Sequence, residues 1–313
     1  MSASCPPVDP SDIHLVASDM DGTLLNSHHT LSPRTTHLLS LFLTQTQLPF
    51  VIATGRAPWA AKNLPIPSGS LAIHTGGCLL VKYLPRSEDE TVPWYEILYE
   101  ATLEAEVVCW YIDHACRTNR SLVIYSRDLI WAASTHMPMI HALEAYGEPK
   151  TSFWQNGQDV RKEAWKGAED LEALKAAVRA GKLKVNKFIY LVPPPTRDAL
   201  EQELLQHEAM PAGSRAIASQ PENLEILPLG TDKLSTLRKV CSMYGTDISH
   251  ALTFGDANND LEMVGEAGYG VAVANANEGL KAVAKWVSGR GNDEDAVAEV
   301  LNGLWKLDEK LAN

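Results

Sequence analysis

Short apolar runs rich in β-branched residues alternate along much of the chain with segments in which apolar positions recur at helical spacing. The apolar runs are residues 13–17, 49–53, 71–74, 250–254 and 269–274. Runs of this length are typical of strands that are buried on both faces of a parallel sheet. Ser32 and Pro33 open one intervening helix as its cap and first-turn proline. The alternation predicts an α/β fold with a doubly wound, Rossmann-like parallel sheet.

The pattern changes to shorter, mixed elements after a polar, turn-forming run at residues 85–90. A helix, a hairpin and two further helices are predicted there, and the first pattern returns from Asn223. The sheet is therefore predicted to be interrupted by an insertion. We expect a core domain formed by residues 12–84 and 223–313, and an inserted α+β cap domain formed by residues 85–222.

Composition argues against several classes of partner. The 313 residues are 45% hydrophobic and 21% charged, and the formal net charge is −12. A negative surface disfavours binding to nucleic acid or to an anionic membrane, and no stretch approaches the roughly 18 apolar residues that suggest a membrane span. The five cysteines are odd in number and lack metal-ligand spacing, so we expect reduced thiols and a cytoplasmic location. We also expect a monomer, since a cap can cover a site on its own chain.

The candidate chemistry begins where the first apolar run ends, at Asp19 and Asp21. Residues two apart in an extended chain point the same way, and open α/β sheets bind ligands at the carboxyl ends of their strands. Two unpaired carboxylates this close would repel, unless a hard divalent cation lies between them. This favours a magnesium site. The alternative is a solvated Asp-Gly turn, in which Gly22 only reverses the chain.

Other segments place polar groups at or near predicted strand ends. They are Thr54-Gly55-Arg56, Lys233 and Asp256. Asp19, Asp21 and Asp256 would together supply three hard oxygen donors for magnesium. A phosphate bound against that metal would be met by Lys233, Thr54 and a backbone amide at Gly55 or Met20. A carboxylate can act as the nucleophile. Taken singly, Thr-Gly-Arg is compatible with a plain turn, and Lys233 with a solvated helix lysine.

These motifs together resemble the haloacid dehalogenase superfamily of phosphohydrolases, and within it the Cof-type group with a C2B cap. Asp19-Met20-Asp21-Gly22-Thr23-Leu24 resembles the first motif of the superfamily, Thr54-Gly55-Arg56 the second, Lys233 the third and Gly255-Asp256-Ala257-Asn258-Asn259-Asp260 the fourth. Order and spacing match across residues 12–84 and 223–304. The cap resembles the group only in its order of elements, so we assign no role to a cap residue.

The resemblance implies a phosphatase that works through an aspartyl-phosphate. Asp19 would attack phosphorus, and Asp21 would protonate the leaving alcohol and then activate water. The acid at position 21 favours ester hydrolysis over carbon-halide hydrolysis, because an alcohol leaving group needs a proton and a halide does not.

The resemblance also implies which residues bind the metal and the phosphate. The expected magnesium ligands are Asp19, the backbone carbonyl of Asp21, and Asp256. The expected phosphate-binding residues are Thr54, Gly55, Lys233 and Asn259. Two supporting residues are expected beside the site, Asp260 and Arg56. Asp260 would orient a metal-bound water or Lys233, and for Arg56 the plain alternative is an ion pair between cap and core.

Several questions stay open at the level of sequence. Where the Cof-type group usually shows Asn-Gly-Ala after the third strand, this chain has Gly76-Gly77-Cys78, which loses an amide that could touch substrate. Hexose phosphates, polyol phosphates, pyridoxal phosphate and flavin mononucleotide are all compatible substrates. A phosphotransferase or mutase of the same fold and a non-catalytic sugar-phosphate sensor are the alternative functions. His28 and His29 lie on a polar loop and are expected to face solvent.

Overall fold

A computed structural model describes residues 8–62, 64–89, 91–139, 143, 148–207 and 211–308. Within these residues the chain divides into two compact units, each with its own sheet. The first unit consists of the described residues of Met1–Gly55, Asn63–Tyr99 and Asp232–Asn313, and the second of those of Arg56–Lys62 and Glu100–Thr231.

The strands and helices follow one another without long irregular stretches between most of them. In chain order the strands are β1 (Leu15–Ser18), β2 (Phe50–Ala53), β3 (Leu71–His74), β4 (Leu79–Tyr83), β5 (Tyr95–Glu100), β6 (Ser121–Ser126), β7 (Leu129–Ala132), β8 (Phe153–Gln155), β9 (Gln158–Val160), β10 (Lys187–Leu191), β11 (Ser214–Gln220), β12 (Asn223–Pro228), β13 (Ala251–Gly255), β14 (Tyr269–Ala272) and β15 (Trp286–Val287). The helices are α1 (Pro33–Thr46), α2 (Ala105–Arg117), α3 (Ala168–Arg179), α4 (Pro194–Gln206), α5 (Lys233–Met243), α6 (Leu261–Glu266), α7 (Glu278–Val283) and α8 (Ala296–Trp305).

The first unit is built on an eight-stranded sheet in the order β15-β14-β13-β1-β2-β3-β4-β5. Neighbouring strands from β15 to β3 are parallel, and β4 runs antiparallel to β3. The parallel sheet predicted from the apolar runs is therefore confirmed. Because β13, β1 and β2 are adjacent and parallel, the residues that follow these strands lie at one edge of the sheet.

Local sequence explains where two helices of this unit begin. The side chain of Ser32 accepts a hydrogen bond from the backbone N–H of Thr35 at 2.9 Å, one residue before Pro33 begins α1. At α5, the Ser235 N–H donates to Asp232 Oδ1 at 2.6 Å, and the Asp232 N–H donates to Ser235 Oγ at 3.1 Å. This reciprocal cap makes Lys233 the first residue of α5.

Helices bury the central strands of the first sheet. Every residue of β1 and β2 is buried, as expected for strands covered on both faces. Leu15 and Val51 of these strands share one apolar cluster with Leu237 of α5. Helices α1 and α8 meet through the rings of Phe42 and Trp305, whose centroids are 5.1 Å apart.

The second unit has a five-stranded antiparallel sheet in the order β11-β12-β10-β6-β7, together with the separate hairpin β8-β9. One face of the sheet packs against helices α2, α3 and α4 around Ile112, Leu174, Leu200 and Phe188. This is the α+β arrangement predicted for the insertion.

The boundaries of the two units differ from those predicted for the domains. Residues 223–231 were expected to begin the second part of the core, but β12 pairs with β10 and β11 in the sheet of the second unit. Residues 85–99 were expected in the cap, but the Leu84 N–H donates to Trp94 O at 2.8 Å and β5 lies beside β4 in the first sheet. The pattern of a strand predicts its burial and does not identify its neighbours.

A third difference concerns residues 56–62, which were expected in the core and belong to the second unit. Ala57 is part of the apolar cluster around Tyr125 and Ile130. The backbone N–H of Trp59 also donates to Asp128 Oδ1 at 2.7 Å. This segment has no strand or α-helix of its own, so its sequence carried no signal of where it packs.

Two predictions from composition can be compared with the described residues. Within the part of the chain that the structure describes, Cys78, Cys109, Cys116 and Cys241 form no disulfide, and Cys5 lies outside that part. Among the described residues, no helix combines the length and the apolar character needed to span a membrane.

Candidate active site

The loop after β1 carries Asp19 and Asp21, and its shape depends on Gly22. The Asp19 N–H donates to Phe254 O on β13 at 3.0 Å, which holds the loop at the carboxyl edge of the sheet. Gly22 has a φ of +73°, and a Cβ there would lie 2.5 Å from Asp256 Oδ2. Thr23 Oγ1 donates to Asp256 Oδ1 at 3.1 Å. Glycine is needed because the backbone is left-handed and passes directly beside the carboxylate of Asp256.

Lys233 is buried between two carboxylates. Its Nζ donates to Asp19 Oδ1 at 2.5 Å and to Asp260 Oδ1 at 2.6 Å, and only 1% of the residue is exposed. Asp260 Oδ2 accepts from the backbone N–H groups of Asp256 at 3.1 Å and Ala257 at 3.2 Å. Of the two roles expected for Asp260, this geometry favours orienting Lys233.

Asp19, Asp256 and Asp260 form a carboxylate cluster in which one oxygen of each lies within 4.8 Å of the others. Carboxylate oxygens are the ligands that magnesium prefers in proteins. Both oxygens of Asp260 already accept hydrogen bonds, from Lys233 and from two backbone amides. Asp19 and Asp256 are therefore the members of the cluster best suited to hold a metal, and the donor set fits a divalent cation.

Charge is unbalanced in this cluster. Burial raises the pKa of Asp19 well above its usual value, with Lys233 opposing the shift and the nearby aspartates adding to it. Burial and Asp260 raise the pKa of Asp256 to about 7. Burial would lower the pKa of Lys233, but Asp19 and Asp260 outweigh it and raise that pKa. Ionising these aspartates together is therefore unfavourable with Lys233 as the neighbouring cation, and a divalent cation would stabilise their charged forms.

The other expected phosphate-binding residues lie in different surroundings. Thr54 follows β2 and is buried, with its backbone N–H donating to Ile73 O at 2.9 Å. Asn259 follows β13, and its buried Oδ1 has no hydrogen-bond partner among the described residues. Gly55 is the last residue of its segment of the first unit, whereas Arg56 belongs to the second unit. The expected role of Arg56 stays a prediction.

Within Gly76-Gly77-Cys78, Gly77 is the glycine that the usual Asn-Gly-Ala pattern also has, and it is related to the position of Lys233. Gly77 has a φ of +103°, and a Cβ there would lie 2.1 Å from Asp232 O. Thr236 Oγ1 donates to Gly77 O at 2.7 Å. The turn after β3 therefore packs directly on the first turn of α5, and glycine at position 77 permits this approach.

Sequence reasoning missed one contact at the site. His29 was expected to face solvent, and 35% of its side chain is exposed, but its Nδ1 lies 3.1 Å from Oδ1 of Asp21. The side chain of Asp21 is 23% exposed. The order of polar residues in this loop gives no sign that position 29 folds back to position 21.

Residues 16–301 match the family model described as haloacid dehalogenase-like hydrolase. This match covers most of the chain, and the protein therefore belongs to the haloacid dehalogenase-like hydrolase family. The resemblance found in its motifs is confirmed, as is the predicted fold class of a Rossmann-like core with an inserted cap.

Proteins similar to this chain include hydrolases and phosphatases. An uncharacterized hydrolase of Schizosaccharomyces pombe is 27% identical over 309 residues, which cover 95% of this chain and 92% of that protein. The 5-amino-6-(5-phospho-D-ribitylamino)uracil phosphatase YitU of Bacillus subtilis is 26% identical over 297 residues, which cover 94% of this chain and 98% of that protein. The crystal structure of a haloacid dehalogenase-like hydrolase from Bacteroides thetaiotaomicron matches with a TM-score of 0.69 and 25% identity. The match covers 94% of this chain and 100% of that chain. The predicted enzyme class, a phosphatase of this superfamily, is confirmed.

Proposed function

We propose that the protein is a magnesium-dependent phosphomonoesterase that hydrolyses a small phosphorylated metabolite through an aspartyl-phosphate on Asp19. The observation that carries this proposal is the buried contact of Lys233 with Asp19 and Asp260, beside Asp256. A nucleophilic carboxylate, a fixed cation and acidic metal ligands in one place are what phosphoryl transfer requires, since it depends on positioning and charge neutralisation.

Asp19, Asp256 and the backbone carbonyl of Asp21 would hold the magnesium ion. The approach of the Gly22 backbone to the carboxylate of Asp256 supports this set, because it brings the loop after β1 against the acid after β13. When bound, magnesium would neutralise negative charge on the phosphoryl oxygens.

Two steps complete the reaction. In the first, an oxygen of Asp19 bonds to phosphorus while the bond between phosphorus and the ester oxygen breaks, and Asp21 gives its proton to that ester oxygen. In the second, water attacks phosphorus, Asp21 takes a proton from the water, and the bond from phosphorus to Asp19 breaks to release inorganic phosphate. Lys233 would hold the phosphoryl group together with Thr54, the Gly55 amide and Asn259.

Replacing the nucleophile tests the proposal. Asp19→Asn should abolish magnesium-dependent hydrolysis of p-nitrophenyl phosphate, because an amide cannot attack phosphorus as a carboxylate does. Asp12→Asn, at an exposed acid shortly before β1, is the matched control and should keep wild-type activity. Mass spectrometry of acid-quenched wild-type protein should detect a phosphorylated Asp19. Magnesium-dependent turnover by Asp19→Asn would contradict the assignment.

The second unit is proposed to select the organic part of the substrate, as the cap of the family does. The name of the Bacillus subtilis relative makes a phosphorylated ribityl compound one test substrate, beside hexose and polyol phosphates, pyridoxal phosphate and flavin mononucleotide. A panel of these esters, scored by phosphate release, would identify the class. The cytoplasmic location and the monomer stay predictions.

The alternative functions are separated by product analysis. A phosphotransferase or mutase would move the phosphoryl group to an added alcohol, whereas a hydrolase releases inorganic phosphate in the presence of that alcohol. A sensor would bind phosphate esters without turnover. The presence of both Asp19 and Asp21 favours catalysis, because a sensor needs neither a nucleophile nor an acid.

A further inference from the structure

We propose that His29 is a positioning residue for Asp21, a role that rests on the function proposed above. Nδ1 of His29 lies 3.1 Å from Oδ1 of Asp21, within hydrogen-bond distance. A general acid or base is most effective when a third group fixes its orientation, as in other catalytic constellations in which the base is held by a neighbouring side chain.

The turn that carries His29 is closed by its own hydrogen bonds. Oδ1 of Asn26 accepts from the backbone N–H groups of His28 at 3.0 Å and Thr30 at 3.1 Å. The Asn26 N–H donates to Thr30 O at 3.0 Å, and Asn26 O accepts from the His29 N–H at 2.9 Å. His29 adopts a φ of +56°, a left-handed conformation in which histidine and asparagine are enriched among non-glycine residues.

The same turn is fastened to the rest of the first unit. The Ser27 N–H donates to Asp293 Oδ1 at 2.7 Å, and Asn292 Nδ2 donates to Leu25 O at 2.9 Å. The backbone at the start of the turn is thus held by side chains just before α8. The imidazole of His29 is presented to Asp21 from an anchored turn, rather than from a loose surface loop.

The contact with His29 affects catalysis through the orientation of the Asp21 carboxyl group. When Oδ1 accepts from the imidazole N–H, rotation of the carboxyl group is restricted. The carboxyl group is then held in one orientation for exchange of the catalytic proton. A partly exposed contact of this kind contributes little to stability, so its loss is expected to affect turnover more than folding.

The test compares variants of His29 with Asp21→Asn, using the full chain with magnesium. Phenyl phosphate and p-nitrophenyl phosphate are matched in shape, but phenol leaves poorly without a proton and p-nitrophenol leaves readily. The value of kcat/KM for each ester reports the step in which the ester bond breaks. His28→Ala, at an exposed neighbour on the same turn, is the control.

We expect His29→Ala to lower kcat/KM for phenyl phosphate by about 10- to 100-fold, the usual cost of losing a group that orients a functional side chain. The loss in kcat/KM for p-nitrophenyl phosphate should be several-fold smaller. For both esters the loss should appear in kcat rather than in KM. His29→Asn should restore most of the activity, because its amide offers a donor near the position of Nδ1 and asparagine tolerates the left-handed backbone. Asp21→Asn should show the same dependence on leaving group with a larger loss, and His28→Ala should match wild type.

Two results would overturn the inference. If Asp21→Asn discriminates between the esters but His29→Ala loses activity equally on both, or on neither, His29 does not position the acid and the proposed function stands. If Asp21→Asn itself shows no dependence on leaving group, the acid assignment fails and the role of His29 fails with it. Equal thermal unfolding midpoints for the variants would separate these outcomes from misfolding.

Discussion

Replacing Lys233 with methionine tests the electrostatics on which the site depends. Methionine keeps an unbranched side chain but removes the ammonium group, which leaves the buried carboxylates of Asp19 and Asp260 facing an apolar atom. Removing one partner of a buried ion pair costs about 3–5 kcal/mol, because the remaining charge is left uncompensated. Folded proteins are stable by about 5–15 kcal/mol, so Lys233→Met should remove a large part of the free energy of unfolding. Urea unfolding of the metal-free protein at pH 7 measures this loss.

A double-mutant cycle assigns this loss to the ion pair. Asp260→Asn removes one of the carboxylates that Lys233→Met leaves unpaired. The double variant should therefore be more stable than the sum of the single losses predicts, by about 1–3 kcal/mol. Lys239→Met, at an exposed lysine on the same helix, should change the free energy of unfolding by less than about 1 kcal/mol. The reasoning is refuted if Lys233→Met unfolds like Lys239→Met, or if the two changes are additive.

Two further predictions concern the loop after β1 and the second unit. Gly22→Ala should weaken magnesium binding, measured by calorimetry, because the new Cβ would displace the carboxylate of Asp256. The control is Gly245→Ala, which also has a positive φ but open space around it. It should bind magnesium normally and lose only roughly 1–2 kcal/mol of stability through backbone strain. Burial lowers the pKa of His114, with Glu203 opposing the shift. The unfolded chain then takes up the proton first, so stability should fall as the pH drops below about 6.5. His114→Gln should reduce this loss between pH 7.5 and 5.5 in urea unfolding, and an unchanged pH dependence would exclude His114 as its source.

Features whose causes lie within a few residues could be predicted from the sequence. The burial of β1 and β2, the cap at Ser32 and the start of α5 all follow from local patterns of apolar, capping and turn-forming residues. The motif segments were expected at the carboxyl edge because parallel strands end there. The sheet places Asp19 after β1 and Asp256 after the neighbouring β13, as those patterns indicate.

Features that depend on distant partners could not be predicted in the same way. The sequence of β12 predicts a buried strand, but its pairing with β10 and β11 is set by the packing of the whole second sheet.

The amino-acid sequence alone indicates the order of the elements, the sheet type and the candidate residues for the chemistry. The packing of the folded chain set the position of Lys233 between Asp19, 214 positions away, and Asp260. It also decided that Gly77 packs on the cap of α5 and that His29 returns to Asp21. The physical reason is that periodicity and capping act over a few residues. Contacts between side chains far apart in sequence exist only after the strands have paired and the helices have packed on them.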